Sequence, residues 1–294
     1  MYLVSYSIEA SRSSFTTKVE ESGVFVQQPI AILDSGVGGL TVAREVMRQL
    51  PRERIVYFGD TARAPYGPRD PEEVTRFTRE IVDYLNQFRP KMIVIACNTA
   101  TAFALEDIRA RVNIPVVGVI KPGARAAIGR TLTSCIGVIG TEGTINSGAY
   151  EDALREITPH VHVISEACPL FVPLVEKGNF RSYETYEAIR SSIGHLRQYP
   201  IDSLILGCTH YPFLAEVIQE VIGPNINLIS SADETAREVS TILHEKERLS
   251  RGAIVPVHQL FCSGDPKMFK SIALQWLGEH IELTPVVWQG PQIC

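Results

Sequence analysis

The amino-acid sequence predicts an α/β fold in which two similar, doubly wound domains with mostly parallel sheets face each other across a central cleft. From about residue 29 onward, short apolar runs alternate with stretches of helical periodicity, and this βαβα alternation is typical of doubly wound sheets. Most of the runs are nearly continuous in Val, Ile and Leu, which favours parallel strands buried on both faces. A pattern from the first half of the chain recurs in the second, which indicates two domains.

Apolar runs bounded by turn residues are predicted as strands. They are PIAIL (29–33), RIVYFG (54–59), MIVIAC (92–97), IPVVGVI (114–120), CIGVIG (135–140), HVHVIS (160–165), SLILGC (203–208) and INLIS (226–230). Stretches with apolar residues at helical spacing are predicted as helices. They are TVAREVMRQL (41–50), PEEVTRFTREIVDYLNQF (71–88), TAFALEDIRARV (101–112), YEAIRSSIGHLRQY (186–199) and FLAEVIQEVI (213–222).

Each half of the chain ends one strand in a polar loop and a later strand in a cysteine. AILDSGVGGL (31–40) is similar in form to GVIGTEGTINSG (137–148), and IVIACNTA (93–100) is similar to LILGCTHY (204–211). Ligands of doubly wound sheets bind beyond the carboxyl ends of the strands. If the two carboxyl edges face each other, one cysteine lies on each side of a shared cleft. Chance similarity between α/β repeats is the competing interpretation.

The bulk composition excludes several classes of partner. The 294 residues are 45% hydrophobic and 21% charged, and 28 Lys plus Arg against 33 Asp plus Glu give a formal net charge of −5. This balance provides no electrostatic surface for nucleic acid or an anionic membrane, and no segment has the roughly 18 apolar residues of a spanning helix. We expect a cytoplasmic protein with a small-molecule ligand. Residues 1–28 are expected to be a poorly ordered polar extension, with an added edge strand as the alternative.

Cys97 in ACNTATAF and Cys208 in GCTHYPF form the predicted chemical centre. Each ends a buried strand, and Thr99 or Thr209 is placed to cap the helix that follows. A helix N-terminus favours a thiolate, so we expect a modestly lowered thiol pKa, in the range useful for proton transfer. Two facing thiols suit a stereochemical inversion, because a thiolate removes a proton from one face of a carbon and a thiol returns one to the other. Inert buried thiols, or a disulfide between the two, are the alternatives.

The six cysteines give no sign of a metal site. They form no CxxC pair and no Cys/His cluster with zinc-like spacing. No metal and no cofactor is therefore predicted. In a large cytosolic chain the cysteines are expected to be mostly reduced.

Two Gly-rich loops are candidates for holding a carboxylate. In LDSGVGGL, Ser35 and backbone N–H groups at a helix start can bind one, and Asp34 would lie near the substrate, where it could orient a thiol or an ammonium group. Thr41 stands where a dinucleotide fingerprint needs its third glycine. In GTEGT, Thr141 and Thr144 can form a second nest with backbone amides. Tight packing for the first loop, and a helix cap plus turn for the second, are the structural alternatives.

His210 directly follows Cys208 and Thr209. It can assist that thiol or hold an ammonium group, and a structural role is the alternative. GDTARAPYGPRD (59–70) is rich in turn formers, so a simple connecting loop is an equally good interpretation of it.

Together these motifs resemble the glutamate racemase family of the aspartate/glutamate racemase superfamily. The matching pieces run in order from about residue 29 to 230: DSGVGG, the GD…APYG loop, ACNTA, PVVGVIKPG, GTEGT, CPLFVPLVEKG and LGCTHYP. The second cysteine is followed by TH, whereas the related aspartate racemases typically read CTE, and this favours glutamate. The resemblance implies cofactor-independent interconversion of L- and D-glutamate, which supplies D-glutamate for bacterial peptidoglycan.

The resemblance also implies roles for individual residues. Cys97 and Cys208 would be the catalytic acid/bases, the first supported by Asp34 and the second by Glu176 and His210. Residues of every strand-end motif would contact the substrate, namely Asp34, Ser35, Tyr66, Gly67, Asn98, Thr99, Thr141, Thr144, Thr209 and His210. The first domain would comprise 29–118 plus 230–294 and the second 119–229. A homodimer is consistent with the resemblance.

Other functions stay open on the sequence alone. An aspartate racemase or another two-thiol isomerase differs mainly in substrate. A cysteine hydrolase or transferase would use one nucleophilic thiol, would accumulate a covalent intermediate and would not need the second cysteine. A non-catalytic amino-acid-binding protein would have the same cleft. A pyridoxal-phosphate racemase would need a Schiff-base lysine, and no strand-end motif supplies one.

Overall fold

The computed structural model of the chain describes residues 28–251, 256–278 and 280–293. The predicted α/β architecture is confirmed, since helices flank two separate parallel sheets. The expectation of a poorly ordered segment at 1–28 lies outside the described residues, apart from Gln28.

The strands and helices alternate along most of the chain. In chain order, the strands are β1 (Ile30–Asp34), β2 (Ile55–Gly59), β3 (Met92–Ile95), β4 (Val116–Gly118), β5 (Cys135–Gly140), β6 (His162–Ala167), β7 (Ser203–Gly207), β8 (Asn227–Ile229), β9 (His258–Cys262), β10 (Ile281–Pro285), β11 (Trp288–Gln289) and β12 (Gln292–Ile293). The α-helices are α1 (Leu40–Gln49), α2 (Pro71–Asn86), α3 (Asn98–Arg111), α4 (Ile120–Ile128), α5 (Glu142–Asn146), α6 (Ala149–Ile157), α7 (Phe171–Glu176), α8 (Tyr183–Ile193), α9 (Ala215–Ile222), α10 (Ser231–Glu245) and α11 (Pro266–Leu277). Short 3₁₀ helices span Gly194–Gln198 and Tyr211–Leu214.

The two sheets share one strand order. The first is β10-β9-β2-β1-β3-β4 and the second is β6-β5-β7-β8, and every pair of neighbours within each sheet is parallel. The segment β2-β1-β3-β4 therefore has the order of β6-β5-β7-β8, with β1 corresponding to β5 and β3 to β7. Cysteines follow the two corresponding strands β3 and β7. Strands from 30–118 and from 258–285 lie together in the first sheet, and the proposed domain limits stay a prediction.

Both faces of the sheets are covered by helices, which explains the continuous apolar runs. All residues of β1, β2 and β7 are buried. In β1, Ile30 and Ile32 belong to one apolar cluster, whereas Ala31 and Leu33 belong to another on the opposite face, because successive strand side chains alternate. Each fully buried Ile or Leu contributes about 1.5–3 kcal/mol, so these strands rigidly hold the loops at their ends.

The predicted run IPVVGVI is only partly a strand. Strand β4 covers Val116–Gly118, and helix α4 already begins at Ile120. Pro122 lies in the first turn of α4, where a missing N–H costs no hydrogen bond. Helices α4, α5, α6, α7, α10 and α11 and strands β9, β10, β11 and β12 were not predicted. No helix among the described residues has the length and apolar content to cross a membrane.

Candidate active site

Cys97 lies at the junction of β3 and α3. It is the N-cap of α3, and its sulfur accepts a hydrogen bond from the Ala100 N–H at 3.4 Å. The same sulfur lies 3.7 Å from Ser35 Oγ, and the residue is 5% exposed. Burial, together with the nearby Asp34 carboxylate, raises the pKa of the Cys97 thiol to about 12. The expected lowering of this thiol pKa is therefore wrong for Cys97, because loss of water outweighs the helix N-terminus.

Cys208 occupies the corresponding position after β7, beside a histidine. Its sulfur lies 3.8 Å from Nδ1 of His210, and Nε2 of that ring lies 2.6 Å from Oε1 of Glu176. Burial alone would lower the pKa of His210, but its contacts with Cys208 and Glu176 raise it well above the ordinary value. The imidazole is therefore paired with Glu176 through one ring nitrogen and lies against the Cys208 sulfur through the other.

Neither predicted threonine cap is correct. The sulfur of Cys97 itself caps α3, and Thr99 lies inside that helix. After Cys208 the chain forms a 3₁₀ helix that has no side-chain cap. Thr209 instead donates a hydrogen bond to Oδ1 of Asp34 at 3.2 Å.

Asp34 joins the two halves of the cleft. It ends β1, is fully buried, and accepts the Gly36 N–H at 3.0 Å in addition to the Thr209 hydroxyl. Burial raises the pKa of the Asp34 carboxyl, and the nearby charge of His210 opposes that rise. A carboxylate between the two sheets is thus close to the machinery of both cysteines.

The ionisation of Asp34 is expected to cost stability. A carboxyl whose folded-state pKa is raised destabilises the fold above that pKa, and this cost is absent below the unfolded-state pKa of about 3.9. Asp34→Asn removes this titration but loses one of the two hydrogen bonds that Asp34 accepts, so the comparison is between pH values. The thermal unfolding midpoint of the wild type, relative to that of Asp34→Asn, should be lower at pH 7.5 than at pH 4. Thermal scans at both pH values, with the exposed variant Glu106→Gln as control, measure it, and the same difference in midpoint at both pH values would contradict it.

Three threonine hydroxyls from the two halves of the chain meet in one cluster. Thr99 Oγ1 lies 2.9 Å from Thr141 Oγ1 and 3.1 Å from Thr144 Oγ1, and the last two are 3.0 Å apart. Thr141 also caps α5 through the Thr144 N–H. The helix cap that was the structural alternative for this loop is therefore present. The same hydroxyls also form a polar cluster with Thr99.

The Tyr66–Gly67 loop touches the second half through its backbone. The Gly67 carbonyl accepts the Gly143 N–H at 2.9 Å, and a Cβ on Gly67 would lie 2.6 Å from that of Thr141. The Tyr66 side chain is 1% exposed and its hydroxyl donates to Asp60. Because the Tyr66 side chain is buried and its hydroxyl is bound to Asp60, Tyr66 can contact a ligand only through its backbone.

Asp60 holds this loop, and sequence reasoning missed it. The buried carboxylate accepts hydrogen bonds from Tyr66, from Arg63 at 2.6 Å, from Ser263 at 2.8 Å and from Trp288 Nε1 at 2.7 Å. The Arg63 guanidinium also stacks over the Trp288 ring, 3.5 Å from its centroid. The GD in the GD…APYG motif was the only available signal, because the partners are up to 228 residues away.

Asn98 is the remaining predicted site residue. It is 2% exposed, and its Oδ1 accepts the hydroxyl hydrogen of Tyr150 at 2.7 Å. Its Nδ2 is buried and has no hydrogen-bond partner among the described residues. The same part of the chain holds no group of three His, Cys, Asp or Glu side chains arranged for a metal ion.

Comparisons with known proteins identify the family. The Asp/Glu/hydantoin racemase family profile matches residues 38–239. A glutamate racemase of Bacillus cereus is 54% identical over 257 residues, which are 87% of this chain and 96% of the relative. The crystal structure of glutamate racemase isoform RacE1 from Bacillus anthracis is 46% identical and superposes with a TM-score of 0.86 over 90% of this chain and 98% of that one. Glutamate racemase from Francisella tularensis, solved in complex with D-glutamate, is 31% identical with a TM-score of 0.82 over 90% and 98%. The chain therefore belongs to the Asp/Glu/hydantoin racemase family and is an amino-acid racemase.

Proposed function

We propose that this racemase interconverts L- and D-glutamate without a cofactor, with Cys97 and Cys208 as the paired acid and base. The observation that carries the proposal is the pair of buried thiols after the corresponding strands β3 and β7, at edges joined by the Asp34–Thr209 hydrogen bond. The glutamate racemases similar to this chain, one of them crystallised with D-glutamate, support glutamate as the substrate.

The reaction requires two proton transfers at one carbon. The thiolate of one cysteine removes the Cα proton, and the thiol of the other delivers a proton to the opposite face. One C–H bond is broken and one is formed, so the two sulfurs exchange protonation states. The product state of one direction is therefore the starting state of the other.

Substrate binding offsets the high pKa of Cys97. A cation within about 4–6 Å favours a thiolate, and an amino-acid substrate brings its ammonium group into the cleft. Asp34, whose charge opposes the Cys97 thiolate, is the carboxylate placed to pair with that ammonium. On the other side, His210, held by Glu176, is the group in contact with the Cys208 sulfur and is placed to exchange a hydrogen bond with it during proton transfer.

Polar groups without charge are placed to hold the two substrate carboxylates. The Ser35 hydroxyl lies beside Cys97 and is assigned to one of them, together with backbone N–H groups of the DSGVGG loop. The hydroxyls of Thr99, Thr141 and Thr144 form a second group. Hydroxyl and amide donors suit carboxylates because a hydrogen bond to a charged group contributes about 1.5–3 kcal/mol.

The two directions are expected to differ in KM and kcat. The two thiols have different partners, since Ser35 lies beside Cys97 whereas His210, held by Glu176, lies beside Cys208. Each enantiomer meets a different sulfur as its base, so the KM of one enantiomer should exceed that of the other. Because the equilibrium constant is one, kcat rises by the same factor and kcat/KM stays equal. Initial rates from each enantiomer measure this, and equal KM values would contradict it.

The cellular setting is part of the proposal. We infer a cytoplasmic enzyme that supplies D-glutamate for peptidoglycan, that takes glutamate as its small-molecule substrate and that can form a homodimer. The domain limits implied by the resemblance, 29–118 plus 230–294 and 119–229, belong to the same proposal.

The test monitors the circular dichroism signal of L- and of D-glutamate over time, in D₂O, with purified protein and no added cofactor. Both enantiomers are expected to converge on a racemic mixture that carries deuterium at Cα. L- and D-aspartate are run in parallel. If only aspartate loses optical activity, the chain is an aspartate racemase. If folded protein leaves both amino acids optically pure and undeuterated, the racemase proposal fails for these substrates.

A further inference from the structure

Tyr150 occupies a position built for its ring and its hydroxyl. It lies in α6 of the second half and is 2% exposed. A Cβ on Gly207, the residue before Cys208, would lie 3.0 Å from the ring, and a Cβ on Gly123 would lie 3.2 Å from the hydroxyl. Glycine at both positions leaves room for the tyrosine, which reaches across to Asn98 in the first half.

The hydrogen-bond direction at Tyr150 is fixed by its surroundings. Burial, followed by the nearby Cys208, raises the pKa of the Tyr150 hydroxyl, so the group keeps its proton. A neutral phenol has one proton to donate, and Tyr150 donates it to Asn98 Oδ1.

This arrangement decides which end of the Asn98 amide faces the cleft. With Oδ1 held by Tyr150, both Nδ2 hydrogens point away from the tyrosine, and Nδ2 has no partner among the described residues. A buried donor without a partner costs about 1–3 kcal/mol, and buried amide groups are nearly always paired. A donor kept in this state next to Cys97 fits a ligand oxygen.

We propose that Tyr150 is a positioning residue for substrate recognition, because its hydroxyl fixes the Asn98 amide with Nδ2 turned towards a substrate carboxylate oxygen. The inference rests on the proposed function, in which Asn98 contacts the substrate. Tyr150 comes from α6 and Asn98 from α3. The binding donor of the first half is therefore oriented only when the second half is in contact with it.

The test compares Tyr150→Phe with the wild type in steady-state racemisation of both enantiomers and in calorimetric binding of glutamate. A hydrogen bond to a carboxylate is made equally in the ground state and the transition state, so its loss raises KM and leaves kcat nearly unchanged. We expect KM and Kd to rise at least about tenfold, with kcat within about threefold. A change of less than about twofold in both would overturn the proposal.

A double-mutant cycle separates positioning from a general structural effect. In an Asn98→Ala background, Tyr150→Phe should change KM by less than about twofold, because no amide is left to orient. The same fold-change in both backgrounds would overturn the proposal. Thr78→Val is the matched control: it removes another buried hydroxyl, which hydrogen-bonds within α2, and KM should stay within about twofold.

Two further measurements keep the outcomes distinct. If Tyr150→Phe does not fold, Asn98→Asp keeps an oxygen for the tyrosine hydroxyl but removes the Nδ2 donor, and it should raise KM and Kd at least about tenfold; an unchanged KM would overturn the proposal. If the wild type binds glutamate without racemising it, the proposed function fails while the Kd comparison still tests Tyr150. If it binds neither glutamate nor aspartate, both proposals fail.

Discussion

Serine in place of Cys97 or of Cys208 is expected to lower kcat/KM for glutamate racemisation about a thousandfold. A positioned acid or base contributes roughly 10²–10⁴-fold, and a serine hydroxyl is a far weaker acid than a thiol. In the proposed mechanism each thiol serves as base in one direction and as acid in the other. The two variants should therefore lose activity in both directions, and equally for L- and D-glutamate because the equilibrium constant is one. Polarimetry from each enantiomer measures the loss.

Cys135→Ser is the matched control for the cysteine variants. Cys135 is also a buried free cysteine, but it begins β5 at the opposite end of the strand from the cleft. This variant should keep kcat/KM within about twofold of the wild type. If only one of the two cleft cysteines proved necessary, a single nucleophilic thiol would replace the two-base mechanism.

A methyl group on Gly38 is expected to lower kcat/KM about a hundredfold. A Cβ at this position would overlap Oγ1 of Thr209 and lie 2.6 Å from Nδ1 of His210. Gly38→Ala would therefore push the residues after Cys208 away from Asp34, and a displacement of about 1 Å in an active site can cost a factor of 10². The rate of racemisation, with circular dichroism to verify folding, measures the effect.

Gly194→Ala provides the control for Gly38→Ala. A Cβ on Gly194 would find its nearest neighbour at 3.8 Å, an ordinary contact. This variant should retain wild-type kinetics. A Gly38→Ala enzyme with full activity would show that the loop can shift without moving the Thr209–Asp34 contact, and would contradict the close fit of the two halves.

The sequence predicted the features that depend on local order. Buried parallel strands give continuous apolar runs, so β1, β3 and β7 and the polar residues at their ends could be recognised in the chain. The cysteines and the Asp34 loop were located correctly because strand ends in this fold converge on one edge. Helix α4 was missed, since Pro122 and Gly123 resemble a loop unless the start of the helix is known.

Properties that depend on distant residues could not be predicted. The helix N-terminus at Cys97 is a local signal, whereas the burial and the Asp34 charge that raise its pKa come from the assembled fold. Asp60 and Trp288, at 228 residues apart, give no pattern that spacing can reveal. Tyr150 is an unremarkable residue of an amphipathic helix until its hydroxyl is seen on Asn98.

The common strand order of the two sheets helps to explain how a chiral protein can act on both enantiomers of one substrate. A protein of L-amino acids cannot be its own mirror image, but a half-turn in space also exchanges the two faces of a planar carbon. In the proposed mechanism, two copies of one strand order present a strand-end sulfur to each face of that carbon, on equivalent scaffolding. The two enantiomers are then treated differently only because corresponding positions of the two copies hold different residues. Asn98 after the first cysteine and Thr209 after the second are one such pair. Substitutions there can bias saturation towards one enantiomer while thermodynamics keeps the final mixture racemic.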